Sequence, residues 1–406
     1  MATNTEKIVV QVVVQGDKQL DKLEKKTKRT TLGFGKMAAG ILSATVAFQK
    51  INQIISSSIK SFRDFEFQMS KVRAITNSND IQFKMLTKSA QKLGRTTFFT
   101  ATEVAKLQTN YGKLGFTTGE ILKAQEATLA LATATDTDLA RAAIVAGAAI
   151  RGFGLDASET KRVTDVMAVS FTSSAMDIEK FQTSMTKVAP IAAAAGISIE
   201  ATTAVMSKLT DTGIEASIAG TSLRNIFLKM QDSSSDLSKF LGFTVNSSDD
   251  LQKALNKLNE AGLTNEEVMG LVDIRQVAAF NTMIRGADNI ASLTEKFNEA
   301  NGALDRMVDI IEDNLEGDFK KLTSAADGLQ QELGEELSPT LRNFLQQLTK
   351  LTNSATDNSD AIFEITVKIA SFFNKVGEGI NSFINPFKNL KKSIFELTNS
   401  DSWRQV

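Results

Sequence analysis

The amino-acid sequence predicts an all-α protein: a compact multi-helix domain followed by long amphipathic helices, with one short β-strand near the N-terminus. Three observations carry this expectation. Only three prolines, Pro190, Pro339 and Pro386, occur in 406 residues. Proline removes a helical N–H and clashes with the preceding turn, so its scarcity leaves room for long helices. Ala, Leu, Lys, Glu and Gln, which lose least on entering a helix, are abundant. Helix-capping signals also recur through the middle of the chain, punctuated by glycine. One Trp and one Tyr argue against an aromatic-rich β-sandwich, and 42% hydrophobic residues are ample for a sizeable core.

The elements divide the chain into three segments: 1–60, 61–300 and 301–406. In the first, the β-branched run KIVVQVVVQ (7–15), closed by Gly16, is the strand candidate. A lone strand needs a partner strand, from this chain or another. Residues 17–29 carry six basic and three acidic side chains and read as a charged, solvated helix or linker. Residues 37–59 form an Ala-rich apolar segment. Gln49, Lys50, Asn52 and Gln53 interrupt it, favouring bundle packing over membrane contact.

Segment 61–300 reads as a series of capped helices. A capping box sets an oxygen-bearing side chain at the N-cap and an acid three residues later. Thr100/Glu103, Thr117/Glu120, Asp156/Glu159 and Thr264/Glu267 fit it, beside breaks at Gly94, Gly115, Gly154 and Gly262. Glycines there suit left-handed helix C-termini. No fixed-period repeat is present.

After residue 300 a stripe emerges: Leu304, Val308, Ile311, Leu315, Phe319, Leu322, Ala326, Leu329, Leu333, Leu337, Leu341, Phe344, Leu348 and Leu351. The mean step is roughly 3.6 residues, the period of an unstrained helix rather than a left-handed coiled coil. Ser338-Pro339 is expected to end one helix of about 35 residues, ~50 Å long, and to start the next. Either the helix folds back on its own domain, or it joins an elongated bundle of identical chains. A second amphipathic segment runs through Ile365, Ile369, Phe372, Val376, Ile380, Phe383 and Phe387. Glu364, Lys368 and Lys375 keep it from reading as a membrane span.

The chemistry is narrow. With no Cys and no His, disulfides, thiolate metal sites and His or Cys catalysis are excluded. Glu335/Glu336 and Asp249/Asp250 read as solvated helix-surface or helix-start carboxylates. The cluster Asp309, Glu312, Asp313, Glu316 and Asp318 has helix-face spacing, not the alternating ligands and central glycine of an EF-hand. Gly152-Phe153-Gly154 lacks the third glycine of a dinucleotide fingerprint and reads as a helix C-terminus and turn. A net charge of −1 argues against a nucleic-acid-binding surface. No catalytic, cofactor or metal residue is expected.

Residues 61–230 also form a recognisable ordered pattern. It runs through SFRDFEFQMSKVRAITN (61–77), FKMLTKSAQKLGRTTFFTATEVAKLQTNYGKLGFTTGEILKA (83–124), LALATATDTDLARAAIVAGAAIRGFGLDASETKRVTDVMA (129–168) and KVAPIAAAAGISIEATTAVMSKLTDTGIEASIAGTSLRNIFLKM (187–230). The most specific parts are Leu93-Gly94 with Phe99-Thr100-Ala101, residues 152–156, 192–196, and Gly213-Ile214 with Gly220-Thr221-Ser222-Leu223-Arg224. This pattern resembles the core region of phage tail tape measure proteins, and 322–351 looks similar too.

The resemblance implies a structural virion protein in the tail tube interior that sets tail length, templates tube assembly and aids DNA delivery. It implies as partners the tail tube protein, tail assembly chaperones and baseplate or distal tail proteins. Three or six copies of the chain itself are implied as well. The alternative reading is a membrane-active tail protein or fragment forming a channel in the host envelope during ejection. Fully helical, the chain would reach about 600 Å. Family members are usually longer and carry membrane-type apolar stretches, so a short member, a fragment or one piece of a split gene is expected.

Overall fold

A computed structural model describes residues 56–354, and every described element is helical. The expected strand at 7–15, the charged segment 17–29, most of the apolar segment 37–59 and the amphipathic segment 361–387 lie outside the described residues. Among the described residues, those from Ser58 onward belong to one compact unit.

The chain enters through α1 (56–76) and turns at Asn77 into α2 (Asp80–Thr96). Next come α3 (Ala101–Lys113), α4 (Thr118–Thr135) and α5 (Leu139–Gly152). A 3-10 turn at Ala157–Glu159 leads into α6 (Thr160–Ser173) and α7 (Ile178–Ala194). The series continues with α8 (Ile199–Asp211), α9 (Ala216–Gln231), the short α10 (Asp236–Leu241) and α11 (Ser248–Ala261). After α12 (Asn265–Leu271) and a 3-10 turn at Ile274–Gln276 come α13 (Val277–Arg285) and α14 (Ala287–Asn298). The described chain ends with α15 (Ala303–Glu312) and the 40-residue α16 (Leu315–Ser354).

Short composite connectors produce this order. After α3, Gly115 takes a left-handed conformation, and the Phe116 N–H reaches back to the Tyr111 carbonyl at 3.1 Å. That bond pairs a carbonyl the helix end would leave open. Phe116 is buried, with its ring 4.8 Å from that of Tyr111. Thr117 then caps α4, and Glu120 returns a bond to the Thr117 N–H at 2.7 Å. Three residues thus close one helix, insert an apolar anchor and open the next. Gly154-Leu155-Asp156, Gly196-Ile197-Ser198 and Gly213-Ile214-Glu215 repeat the device with the same backward bond.

The boxes at Thr100, Thr117 and Thr264 form as expected. The one at Asp156 does not. Its carboxylate accepts from the backbone N–H and hydroxyl of Ser158, because the turn it starts is 3-10. Glu159 binds Arg162 at 2.7 Å instead. Gly94 is also not a break. It lies buried inside α2, where a β-carbon would overlap the Ala101 backbone. Two further boxes, Asn79/Gln82 and Asp273/Gln276, use glutamine in place of the acid.

One hydrophobic core runs from Phe65 to Leu304. Its axle is α8, buried on nearly every side. α7 and α9 approach closely where Gly220 lies on the Ser184 backbone. The core admits polar side chains that find partners: Gln68 donates to Thr109, and Gln108 donates to the Leu86 carbonyl and to Gln125. Such pairing offsets the penalty of burying an amide. Pro190 sits inside α7 on its solvent side, so the carbonyl left without an N–H partner meets water.

Candidate functional site

The site that stands out is the helix pair α15–α16, where the sequence places the apolar stripe. Asp165 of α6 anchors it. This buried carboxylate accepts from the Gly302 N–H at 3.0 Å and the Leu304 N–H at 2.8 Å. α15 begins at Gly302, which has no side chain to cap it, so Asp165 caps it from across the core. A Lys161–Asp305 ion pair lies beside it. Leu304 is buried, and Val308 packs against the core.

The pair breaks at Asp313-Asn314, not at Ser338-Pro339 as expected from sequence. The Asn314 side chain accepts from the Gly317 N–H at 3.0 Å and starts α16. Pro339 is accommodated inside α16 because it lies on the exposed side, where water satisfies the carbonyl one turn earlier. At 1.5 Å per residue α16 is about 60 Å long.

The stripe residues fall into three environments. Leu304 and Val308 belong to the core. Ile311 is exposed, as are Leu315 (83%), Phe319 (65%), Leu322 (66%) and Leu329 (46%). Leu333, Leu337 and Leu341 are half-buried. The side chains of Phe344, Leu348 and Leu351 lie outside the described residues. Sequence reasoning missed Ile310, which is 76% exposed beside the break. Its place off the 3.6-residue row concealed it.

The face α16 turns inward is different. Ser324, Gly328, Gln331 and Gly334 are buried, and all are small or polar. A β-carbon at Gly334 would overlap the Ser58 carbonyl and Phe62 of α1, and one at Gly328 would crowd Arg95 of α2. Polar contacts line the seam. Ser61 donates to Asp327 at 2.6 Å, Arg95 pairs with Glu332 at 2.5 Å, Gln91 donates to Glu335 at 3.3 Å, and Arg342 pairs with Glu66. Ile59, Phe62, Leu341 and Leu345 line a cleft at its lower end.

Carboxylates singled out in the sequence have structural settings. Glu335 lies on this seam. Asp250 sits at the start of α11, held below the usual carboxylate range first by the Ser247 hydroxyl and then by the Asn246 N–H. In the cluster on α15 and α16, Glu312 pairs with Lys321 and Glu316 with Lys320. Among the described residues no group of acids is arranged to hold a metal ion, and no helix is long and apolar enough to cross a membrane.

Comparison with known proteins adds relatives to this picture of packed helices. Residues 87–268, from mid-α2 to mid-α12, match the family described as phage-related minor tail protein. The chain is 26% identical over 336 residues to the tape measure protein of Pneumococcus phage Dp-1, covering 79% of this chain and 29% of that protein. It is also 26% identical over 306 residues to the probable tape measure protein of Escherichia phage P2, covering 71% of this chain and 38% of that protein. No solved structure matches. The class of protein this chain is similar to is therefore the structural phage tail proteins. More narrowly, both of these relatives carry the name tape measure protein, one of them as probable, and it is to such proteins that the chain is similar. It spans less than two-fifths of the length of these curated relatives.

Proposed function

We propose that this chain works in the tail tube interior as an oligomeric helical component that sets tail length and templates tube assembly, and that it aids DNA delivery. The stripe from Leu304 to Leu351 is its association face, and the occupant is a second copy of the same chain. One observation carries the reading: large apolar side chains at Leu315, Phe319, Leu322 and Leu329 face solvent along one helix. Contiguous apolar exposure of this kind marks a surface that another surface covers. The tail tube protein, tail assembly chaperones and distal tail or baseplate proteins are the proposed further partners, as the resemblance to tape measure proteins implies. The division into 1–60, 61–300 and 301–406 belongs to the same reading: the middle segment is the folded body and the last is the associating arm.

The test is genetic. Whole helical turns are deleted or duplicated within 303–337 in the parent phage, and tails are imaged. Tails that shorten or lengthen with the insert support a ruler role for this segment; tails of unchanged length with normal assembly refute it.

A further inference from the structure

We infer that α16 is a releasable arm, latched to α1 and α2 by a polar seam and hinged at Asp313-Asn314, whose docking withholds the lower part of the association stripe. This rests on the stripe reading above.

The first ground is an inverted polarity. A helix that docks to stabilise a globular core turns its apolar side inward. α16 turns Ser324, Gly328, Gln331 and Gly334 inward and Leu315, Phe319 and Leu322 outward. Docking therefore removes little apolar surface from water along its upper half, and the hydrophobic term there is small. What holds the arm is close small-residue packing plus Ser61–Asp327, Arg95–Glu332, Gln91–Glu335 and Glu66–Arg342. Exposed ion pairs contribute little and are screened by salt. The seam also leaves two buried polar atoms unbonded, Gln331 Oε1 and Ser58 Oγ. Both regain water when the arm lifts, which favours the open state.

The second ground is the course of the stripe around the helix. At 100° per residue, Leu315 lies about 180° from the buried docked-face position Ser324, on the opposite side. Leu341 lies only about 60° from Ser338 by the same count, so the row has turned toward α1. That is why Leu315 and Phe319 are exposed while Leu333, Leu337 and Leu341 are half-buried. A continuous stripe is presented only after release. The hinge permits this, because Asp165 holds α15 to the core on one side of Asp313-Asn314, while on the other α16 is held by the seam and by the surface lysines Lys320 and Lys321, which reach Phe98 and Glu312.

The chain has no cysteine, so introduced thiols are unique. Spin labels at Lys71→Cys and Thr340→Cys, both exposed positions, report the α1–α16 distance by pulsed electron paramagnetic resonance. The expected result is one short distance at about 20 mM salt and a second, longer population at about 500 mM, where the screening length falls from roughly 20 to 4 Å. Glu332→Arg raises the longer population at low salt, and adding Arg95→Glu restores the short one. A single short distance in all these samples overturns the arm. In a second chain, Ser61→Cys with Asp327→Cys closes the seam by oxidation. Sedimentation should show the oxidised form associating at least about tenfold more weakly than the reduced form. Equal association overturns the withholding of the stripe. If neither form associates while the longer distance appears, the stripe reading fails and the arm stands.

Discussion

Replacing Asp165 with alanine should loosen the junction between the folded body and the arm. The carboxylate is buried and accepts two N–H groups, at 3.0 and 2.8 Å, from the first turn of α15. No other side chain caps that helix. Loss of an N-cap costs about 1 kcal/mol. Hydrogen bonds to a charged acceptor are worth about 1.5–3 kcal/mol each, and both donors would be stranded. Removing the buried charge also removes its own desolvation penalty, which offsets part of this. The net expectation is about 3 kcal/mol, or roughly a hundredfold in the unfolding equilibrium. Asp165→Asn should cost somewhat less, about 2 kcal/mol, because its carbonyl still accepts one N–H while its amide faces the other. Urea denaturation measures the total, and amide hydrogen exchange locates it. Protection should fall first at residues 302–312. An Asp165→Ala chain within about 0.5 kcal/mol of the original, with α15 amides equally protected, would refute the cap across the core.

Other expectations follow from the same contacts. Gly196→Ala should destabilise by about 3 kcal/mol or more, since the residue has φ of +62° and its β-carbon would overlap the Asn246 carbonyl; Gly119→Ala, in open space at the start of α4, should be neutral or stabilising in the same melt. Arg162→Met strands the buried Glu200 carboxylate and should cost about 2 kcal/mol, discounted because Arg162 is partly exposed; adding Glu200→Met should recover most of the loss, as a double-mutant cycle would show. Acid should unfold the body through its caps. The Thr117 N–H holds Glu120 below the usual range, the Thr264 N–H does so for Glu267, and the Ser158 hydroxyl does so for Asp156. Depressed carboxylates stabilise above their unfolded values near pH 4, and this is lost as pH falls through the folded ones, so Tm should drop below about pH 4 and Glu267→Gln should flatten the slope. Leu315→Ser with Phe319→Ser should leave monomer stability within about 0.5 kcal/mol yet abolish the self-association seen by sedimentation; retained association would remove the stripe as an interface.

The helical class and three of four capping boxes were legible because an N-cap and its acid are neighbours in sequence. Asp156 misled because residue types do not distinguish a 3-10 turn from an α-helical one. The boxes at Asn79 and Asp273 were readable in principle, since glutamine returns the same bond as glutamate. Gly94 looked like punctuation but serves a helix crossing, which depends on Ala101 arriving from the next element. The stripe was visible as a period, yet its orientation was not. Sequence periodicity says that apolar residues share a side of α16; it does not say that Gly328 and Gly334, lacking any side chain, would claim the inward one. Asp165 carried no local signal, because its partners Gly302 and Leu304 lie 137 and 139 residues away. Pro339 stood out as a break, but exposure let the helix absorb it.

The seam between α1 and α16 also sets how the protein bears load. Ser61 and Asp327 touch although 266 residues separate them. The first and last described helices therefore lie side by side, and tension applied through the two flanking chains would fall on this seam before it reached the core. Ser61 meets Asp327 and Glu66 meets Arg342, so the two helices run parallel and a pull on their outer ends shears the seam's contacts together rather than one after another. Once the seam and then the body give way, the intervening chain can pay out to roughly 900 Å when fully extended. The folded body is thus a spool of contour length, secured at a mechanical catch made of a serine, a few ion pairs and two glycines.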